Sequence, residues 1–271
     1  MTPTDLRAIA TRVGRLAVAD RGSGTPVLLW PSLYADHRFW DHVVAGLGPG
    51  IRTLAIDGPG FGRSDPPRGD VQPERYADAL VDLLDALGLP AAIAVGCSWG
   101  GQVVAHLGVR SPERVRGIVM MNTPMHPSLG GHRFDLVGTR RLGATRFWGA
   151  GVARSMVGTE TKRRHPERVR AFRDAFRSFD PAAAAVTART VLTAFPGLAG
   201  ILPGLRVPTT ILLGAEDRLY PVAVSEPIAR LAPSAKIRVL PGCGHLAPIE
   251  APEAVVDAIG DHLPDGLPAR R

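Results

Sequence analysis

Cysteine is nearly missing from this chain: Cys97 and Cys243 are the only two in 271 residues. Two thiols cannot build a disulfide framework or a four-thiolate zinc site. Lysine is just as scarce. Lys162 and Lys236 stand among 32 basic residues, so the other 30 are arginine. No apolar run reaches the roughly 18 residues that a membrane-spanning helix needs, so no membrane association is expected. The stretch from Met1 to Arg7 shows no basic segment followed by an apolar one, and a reduced cytoplasmic location is the expectation. A phosphate-binding loop is missing too. Gly58-Pro59-Gly60-Phe61-Gly62 is glycine-rich, but its spacing is wrong and no helix opens on it. Seven histidines (His37, His42, His106, His126, His132, His165 and His262) fall at no metal-ligand spacing. Neither a metal nor a cofactor is therefore expected.

Hydrophobic residues make up 45% and charged residues 21%, the balance of a globular chain. The length suits one large α/β domain or two small ones. Short apolar runs read as strands: Val27–Trp30 and Thr53–Ile56, both buried, then Ala91–Val95, Gly117–Met121, Thr209–Leu213 and Lys236–Leu240. Helical patterns alternate with them over Pro73–Leu87, Trp99–Val109, Val222–Leu231 and Pro252–Leu263. In the first of these Tyr76, Leu80, Leu83, Leu84 and Leu87 share a face, and Gly88 is placed to end the helix. Such alternation predicts a mainly parallel sheet covered on both faces. Residues 125–205 break it. They hold no convincing strand, and Arg163–Phe179 reads as helical, with Val169, Phe172 and Phe176 on one stripe. This segment is expected to be a helical cap inserted into a core formed by 1–124 and 206–271, over the crevice at the strand ends.

The chemistry lies at those strand ends. Gly96-Cys97-Ser98-Trp99-Gly100 fits G-x-S-x-G, a sharp strand-to-helix turn that presents a serine. A serine hydroxyl is a weak nucleophile and needs a base, which in turn needs an orienting acid. Two later strand ends supply these. His245, between glycines and apolar residues in Gly242-Cys243-Gly244-His245, is the expected base. Asp217, in Gly214-Ala215-Glu216-Asp217, is the expected acid, with Glu216 as its competitor. Cys97 and Cys243 read as small packing residues.

Together these segments resemble the α/β-hydrolase superfamily. The residues carrying the resemblance are Asp57-Gly58-Pro59-Gly60-Phe61-Gly62-Arg63-Ser64-Asp65, the Ser98 turn with Gly101, Gly214–Pro221, Gly242–His245 and Glu250-Ala251-Pro252-Glu253. The match covers about residues 20–124 and 206–265. It implies a doubly wound, mainly parallel, eight-stranded sheet. Haloalkane dehalogenases and epoxide hydrolases of the superfamily carry aspartate where this chain has Ser98, which argues against both activities. The chain also departs from the superfamily. Many members have His-Gly after the strand at Val27, whereas here Trp30-Pro31-Ser32-Leu33 follows. Pro31 has no N–H to give an oxyanion. With Asp36 and Trp40 beyond it, this loop is similar in spacing to that of 3-oxoadipate enol-lactonases. That similarity implies the Leu33 amide, paired with the Trp99 amide, as the oxyanion hole.

The charge is unevenly spread. Residues 125–205 hold 13 basic and 5 acidic residues, leaving 19 basic and 20 acidic elsewhere. The whole excess of +7 therefore sits in the expected cap. It reads either as a solvated helix face or as attraction for a carboxylate-bearing substrate. Nucleic acid is disfavoured, since no binding module accompanies the charge. The expected function is hydrolysis of a small ester or lactone by Ser98, Asp217 and His245. Carbon–carbon bond hydrolysis, cofactor-free perhydrolysis and a hydrolase-like ligand receptor are the alternatives.

Overall fold

The computed structural model describes residues 6–126, 133–142 and 145–264. Eight strands run β1 (Leu6–Thr11), β2 (Gly14–Gly22), β3 (Thr25–Trp30), β4 (Ile51–Ile56), β5 (Ala92–Cys97), β6 (Val115–Met121), β7 (Thr209–Gly214) and β8 (Ala235–Leu240). They form one sheet in the order β1-β2-β4-β3-β5-β6-β7-β8. Pairing is antiparallel from β1 through β4 and parallel from β4 to β8. The six strands expected from apolar runs are β3 to β8. The hairpin β1–β2 escaped that reading, because β1 is an edge strand with most of its residues exposed or half-buried.

Every residue of β5 is buried, so both faces of the sheet need cover. Helices α1 (Asp41–Gly46), α2 (Pro73–Ala86) and α3 (Trp99–Arg110) supply part of it. Helix α2 buries Tyr76, Leu80, Leu83 and Leu84 on the expected stripe, and packs on α3. Its end closes at Gly88, whose N–H donates to the Asp85 carbonyl. Helices α10 (Ala247–Glu250) and α11 (Pro252–Gly260) pack with α1, and α9 (Val222–Ala229) lies against β7 and β8. Below the sheet's C-terminal edge Trp30, Tyr76 and Trp99 are fully buried against one another, with ring centroids 5.3–5.6 Å apart. Each such pair stabilises by about 0.5–1.5 kcal/mol beyond its buried area.

Between β6 and β7 the described residues form α4 (Arg133–Leu142), α5 (Arg146–Met156), α6 (Thr159–Arg164), α7 (Pro166–Ala175) and α8 (Pro181–Thr193). The helical reading of Arg163–Phe179 is divided by Pro166, which opens α7 because its ring cannot continue α6. Phe172 and Phe176 of the expected stripe are buried, and Val169 is half-buried. Phe176 stacks on Tyr34 with centroids 5.2 Å apart. Arg163, Arg164 and Arg170 face outward. Among the described residues, no helix is long and apolar enough to cross a membrane.

Candidate active site

Strand β5 ends in a turn that only small residues permit. Ser98 has φ 57° and ψ −126°, a strained conformation for a non-glycine residue. Such strain costs about 1–3 kcal/mol and persists only where surrounding structure enforces it. Here the enforcement is close backbone packing. A Cβ on Gly96 would lie 2.2 Å from the Gly100 carbonyl oxygen, and one on Gly100 would lie 2.6 Å from that of Trp30. The turn thus brings Ser98 to the start of α3, where unpaired N–H groups carry a partial positive charge.

Two other strand ends converge on it. Ser98 Oγ lies 2.9 Å from His245 Nε2, and His245 Nδ1 lies 2.8 Å from Asp217 Oδ2. All three residues are buried. Asp217 Oδ1 accepts from the backbone of Leu219 and Tyr220, and Asn122 Nδ2 donates to Oδ2 at 3.2 Å. Burial alone would push the Asp217 carboxyl up. Its contact with His245 and these hydrogen bonds outweigh burial and hold it below the usual carboxylate range. The competing acid, Glu216, is elsewhere: its carboxylate accepts from the backbone of Thr159 at 2.6 Å.

Leu33 lines the same cavity as Ser98 and His245, and Trp99 directly follows Ser98. Among the described residues neither amide has a backbone acceptor, so both remain available as donors. The cavity holds about 70 Å³ and is walled mostly by Leu33, Val152, Met156, Val191, Leu192 and Leu219, with Tyr34, Pro124, Ser155 and Tyr220 completing the lining. Five of these lining residues come from helices α5 and α8, which therefore cover Ser98. Among the described residues no arginine or lysine lines it. The side chains of Arg133, Arg146 and Arg177 lie outside the described set. A buried serine, histidine and aspartate joined in this order, beneath a mostly apolar lining, have the geometry to attack a carbonyl.

Sequence reasoning missed several participants. Asn122 holds Asp217 and the Gly244 carbonyl, and Tyr220 lies against the His245 ring with centroids 5.6 Å apart. Asn122 sits in no motif, and Tyr220 lies in the quoted segment Gly214–Pro221 without a role having been read for it. The nearest signal for Asn122 is an asparagine just beyond a buried strand, and it adopts φ 50°. Glu250 belongs to a quoted motif, yet no role was read for it. Asp36, His37 and Asp57 do come close enough to hold an ion. Their ligand atoms are already engaged, Asp36 with Arg38, and Asp57 with His37 and the Arg63 amide. This is the hydrogen-bond knot of a turn. Cys97 and Cys243 are buried free thiols, pushed up by burial, as packing residues should be.

Comparison with known proteins agrees with this architecture. The family model for the α/β hydrolase fold matches residues 25–252. The 2-hydroxymuconate semialdehyde hydrolase of Pseudomonas sp. (strain CF600) is 31% identical over 257 residues, covering 89% of this chain and 84% of that one. Haloalkane dehalogenase 2 of Mycobacterium tuberculosis (strain ATCC 25618 / H37Rv) is 32% identical over 133 residues. That match spans 46% of this chain and only 44% of the dehalogenase. Among solved structures, a thermophilic esterase from Thermogutta terrifontis superposes with a TM-score of 0.86 at 29% identity, covering 95% of this chain and 97% of the esterase. The enol-lactonase of Burkholderia xenovorans LB400 reaches the same TM-score at 23% identity, covering 94% and 99%. The eight-stranded sheet, the serine turn and a family match over most of its length make this chain a member of the α/β-hydrolase fold family.

Proposed function

We propose that this protein is a serine hydrolase cleaving a short, uncharged carboxylic ester or lactone. The observation that carries the reading is the Ser98–His245–Asp217 relay opening into a small apolar cavity. His245 takes the Ser98 proton as Oγ attacks the carbonyl carbon. Asp217 fixes the imidazole tautomer, and the Leu33 and Trp99 amides stabilise the tetrahedral oxyanion. His245 then protonates the leaving alkoxide. Water, deprotonated by the same imidazole, releases the acyl group from Ser98. The helical segment 125–205 acts as a cap in this scheme. A reduced cytoplasmic setting goes with it, supported by the two buried free thiols.

The cavity narrows the substrate. At about 70 Å³ it is far below the roughly 300–1,000 Å³ of drug-sized sites, which favours a short acyl group. Its described walls offer no cation, which favours a neutral one over a carboxylate-bearing one. An aryl fluorophosphonate should label Ser98 and leave Ser98→Ala unlabelled, with p-nitrophenyl acetate turned over by the wild type alone. Absence of wild-type labelling, beside a labelled control esterase, would sink the proposal. Replacing Leu192 with Ala should raise kcat/KM for p-nitrophenyl hexanoate relative to acetate by about tenfold, the worth of a methylene or two of pocket space.

A second reading is carbon–carbon bond hydrolysis of a dienone acid. It is favoured by the 31% identity to the semialdehyde hydrolase. Turnover of such an acid faster than any short ester, in a side-by-side panel, would establish it over the first.

A further inference from the structure

We infer that Glu250 is a positioning residue for His245, holding the base in place jointly with the helices that cover the site. The inference rests on the reading of His245 as the general base. Three successive backbone N–H groups surround that residue, and all three are taken. Gly244 donates to Glu250 Oε2 at 3.0 Å and Leu246 to Glu250 Oε1 at 2.9 Å. Between them, the His245 N–H donates to the carbonyl of Met156 at 2.6 Å. Met156 ends α5, so one of the three anchors belongs to the cover and not to the sheet.

Glu250 reaches the cover as well. Its Oε2 accepts from the Gly158 amide at 2.7 Å and from Thr161 Oγ1 at 3.2 Å. One carboxylate thus joins both sides of His245 to the start of α6. The two backbones touch with no side chain between them. A Cβ on Gly244 would lie 2.5 Å from Gly158 N and 2.6 Å from the Met156 oxygen, and one on Gly158 would lie 2.7 Å from the Gly242 oxygen. A glycine on each side is what this contact requires. Four donors converge on one side chain, and only a carboxylate accepts on both of its terminal atoms. Burial penalises that charge and pushes the Glu250 carboxyl up, with the four hydrogen bonds offsetting part of the penalty. An apolar side chain here would leave the Gly158, Gly244 and Leu246 amides without their acceptor. The carboxylate instead sets the backbone from which the imidazole must reach Ser98 and Asp217 at once.

The test uses the full chain and Glu250→Gln. The amide keeps one oxygen for Gly158, Gly244 and Thr161, and turns an N–H₂ against the Leu246 N–H. With p-nitrophenyl acetate, kcat should fall about ten- to a hundredfold, as expected for a misplaced catalytic group. KM should stay within about threefold, and the thermal midpoint should not drop. The fluorophosphonate labelling rate should fall in parallel, and the downfield proton of the His245–Asp217 hydrogen bond should shift. Gly158→Ala, which presses on the same junction from the other side, should lower kcat with KM again within about threefold, assayed well below the thermal midpoint that its contact with the Gly242 oxygen lowers. If wild-type Ser98 is labelled but both variants keep full kcat, the inference is overturned while the hydrolase reading stands. It is also overturned if the kcat of Glu250→Gln falls only in step with its thermal stability, or if KM alone changes. If wild-type Ser98 is not labelled, the hydrolase reading itself fails.

Discussion

Asp217 and Glu216 are neighbours in sequence with opposite surroundings. Asp217 is buried, takes two backbone donors on one oxygen and meets His245 with the other. Glu216 reaches outward to the Thr159 amide. On the proposed mechanism Asp217→Asn should lower kcat by about four orders of magnitude, because an amide stabilises the wrong imidazole tautomer. Glu216→Gln should leave kcat within about threefold. Measuring both on p-nitrophenyl acetate checks the assignment, and an equal loss would reverse it. The turns that carry Ser98 and His245 are legible because glycines announce tight turns at strand ends, and such turns are short and local. The choice between Glu216 and Asp217 depends on which way each side chain leaves the turn. Asn122 was illegible for a similar reason: its partners, Asp217 and Gly244, lie about a hundred residues downstream and no local pattern marks them.

Among the elements, periodicity served best where one face meets the core. The stripe on α2 and the Phe172–Phe176 face of the covering helices are both readable from spacing alone. Strand β1 was not, since an exposed edge leaves no apolar run to detect. The same logic explains the arginines. With Phe172 and Phe176 turned inward, Arg163, Arg164 and Arg170 point to solvent, and the first two pair with Glu160. Exposed pairs of this kind contribute little to stability, about 0–1 kcal/mol. Replacing Arg163, Arg164 and Arg170 with Gln should therefore leave kcat/KM for a short neutral ester within about twofold. Steady-state kinetics at two salt concentrations checks this, and a loss beyond tenfold would return these side chains to the substrate path.

At the scale of the whole molecule the buried Asp217 and the half-buried Glu250 oppose each other in their pH dependence. Asp217 is depressed when folded, so its contribution to stability is present above the unfolded value of about 3.9 and is lost as pH falls through the folded one. Peripheral partners of arginine, Asp20 with Arg52 and Asp82 with Arg12, behave in the same direction. Glu250 is raised by burial, so its contribution is fully present below about pH 4.3 and is lost as pH rises through the folded value. The stability of Glu250→Gln relative to the wild type should therefore increase with pH across that window. Urea midpoints at acidic and mildly alkaline pH measure it, and a constant difference would contradict the raised folded value. The backbone contact between Gly158 and Gly244 has a consequence for engineering. A roof that merely shields a pocket could be grafted from one relative to another to change selectivity. This one shares a seam with the histidine loop, so a transplanted insertion would have to bring its own matching loop, and swaps designed at residues 125–205 alone should yield folded proteins with idle serines.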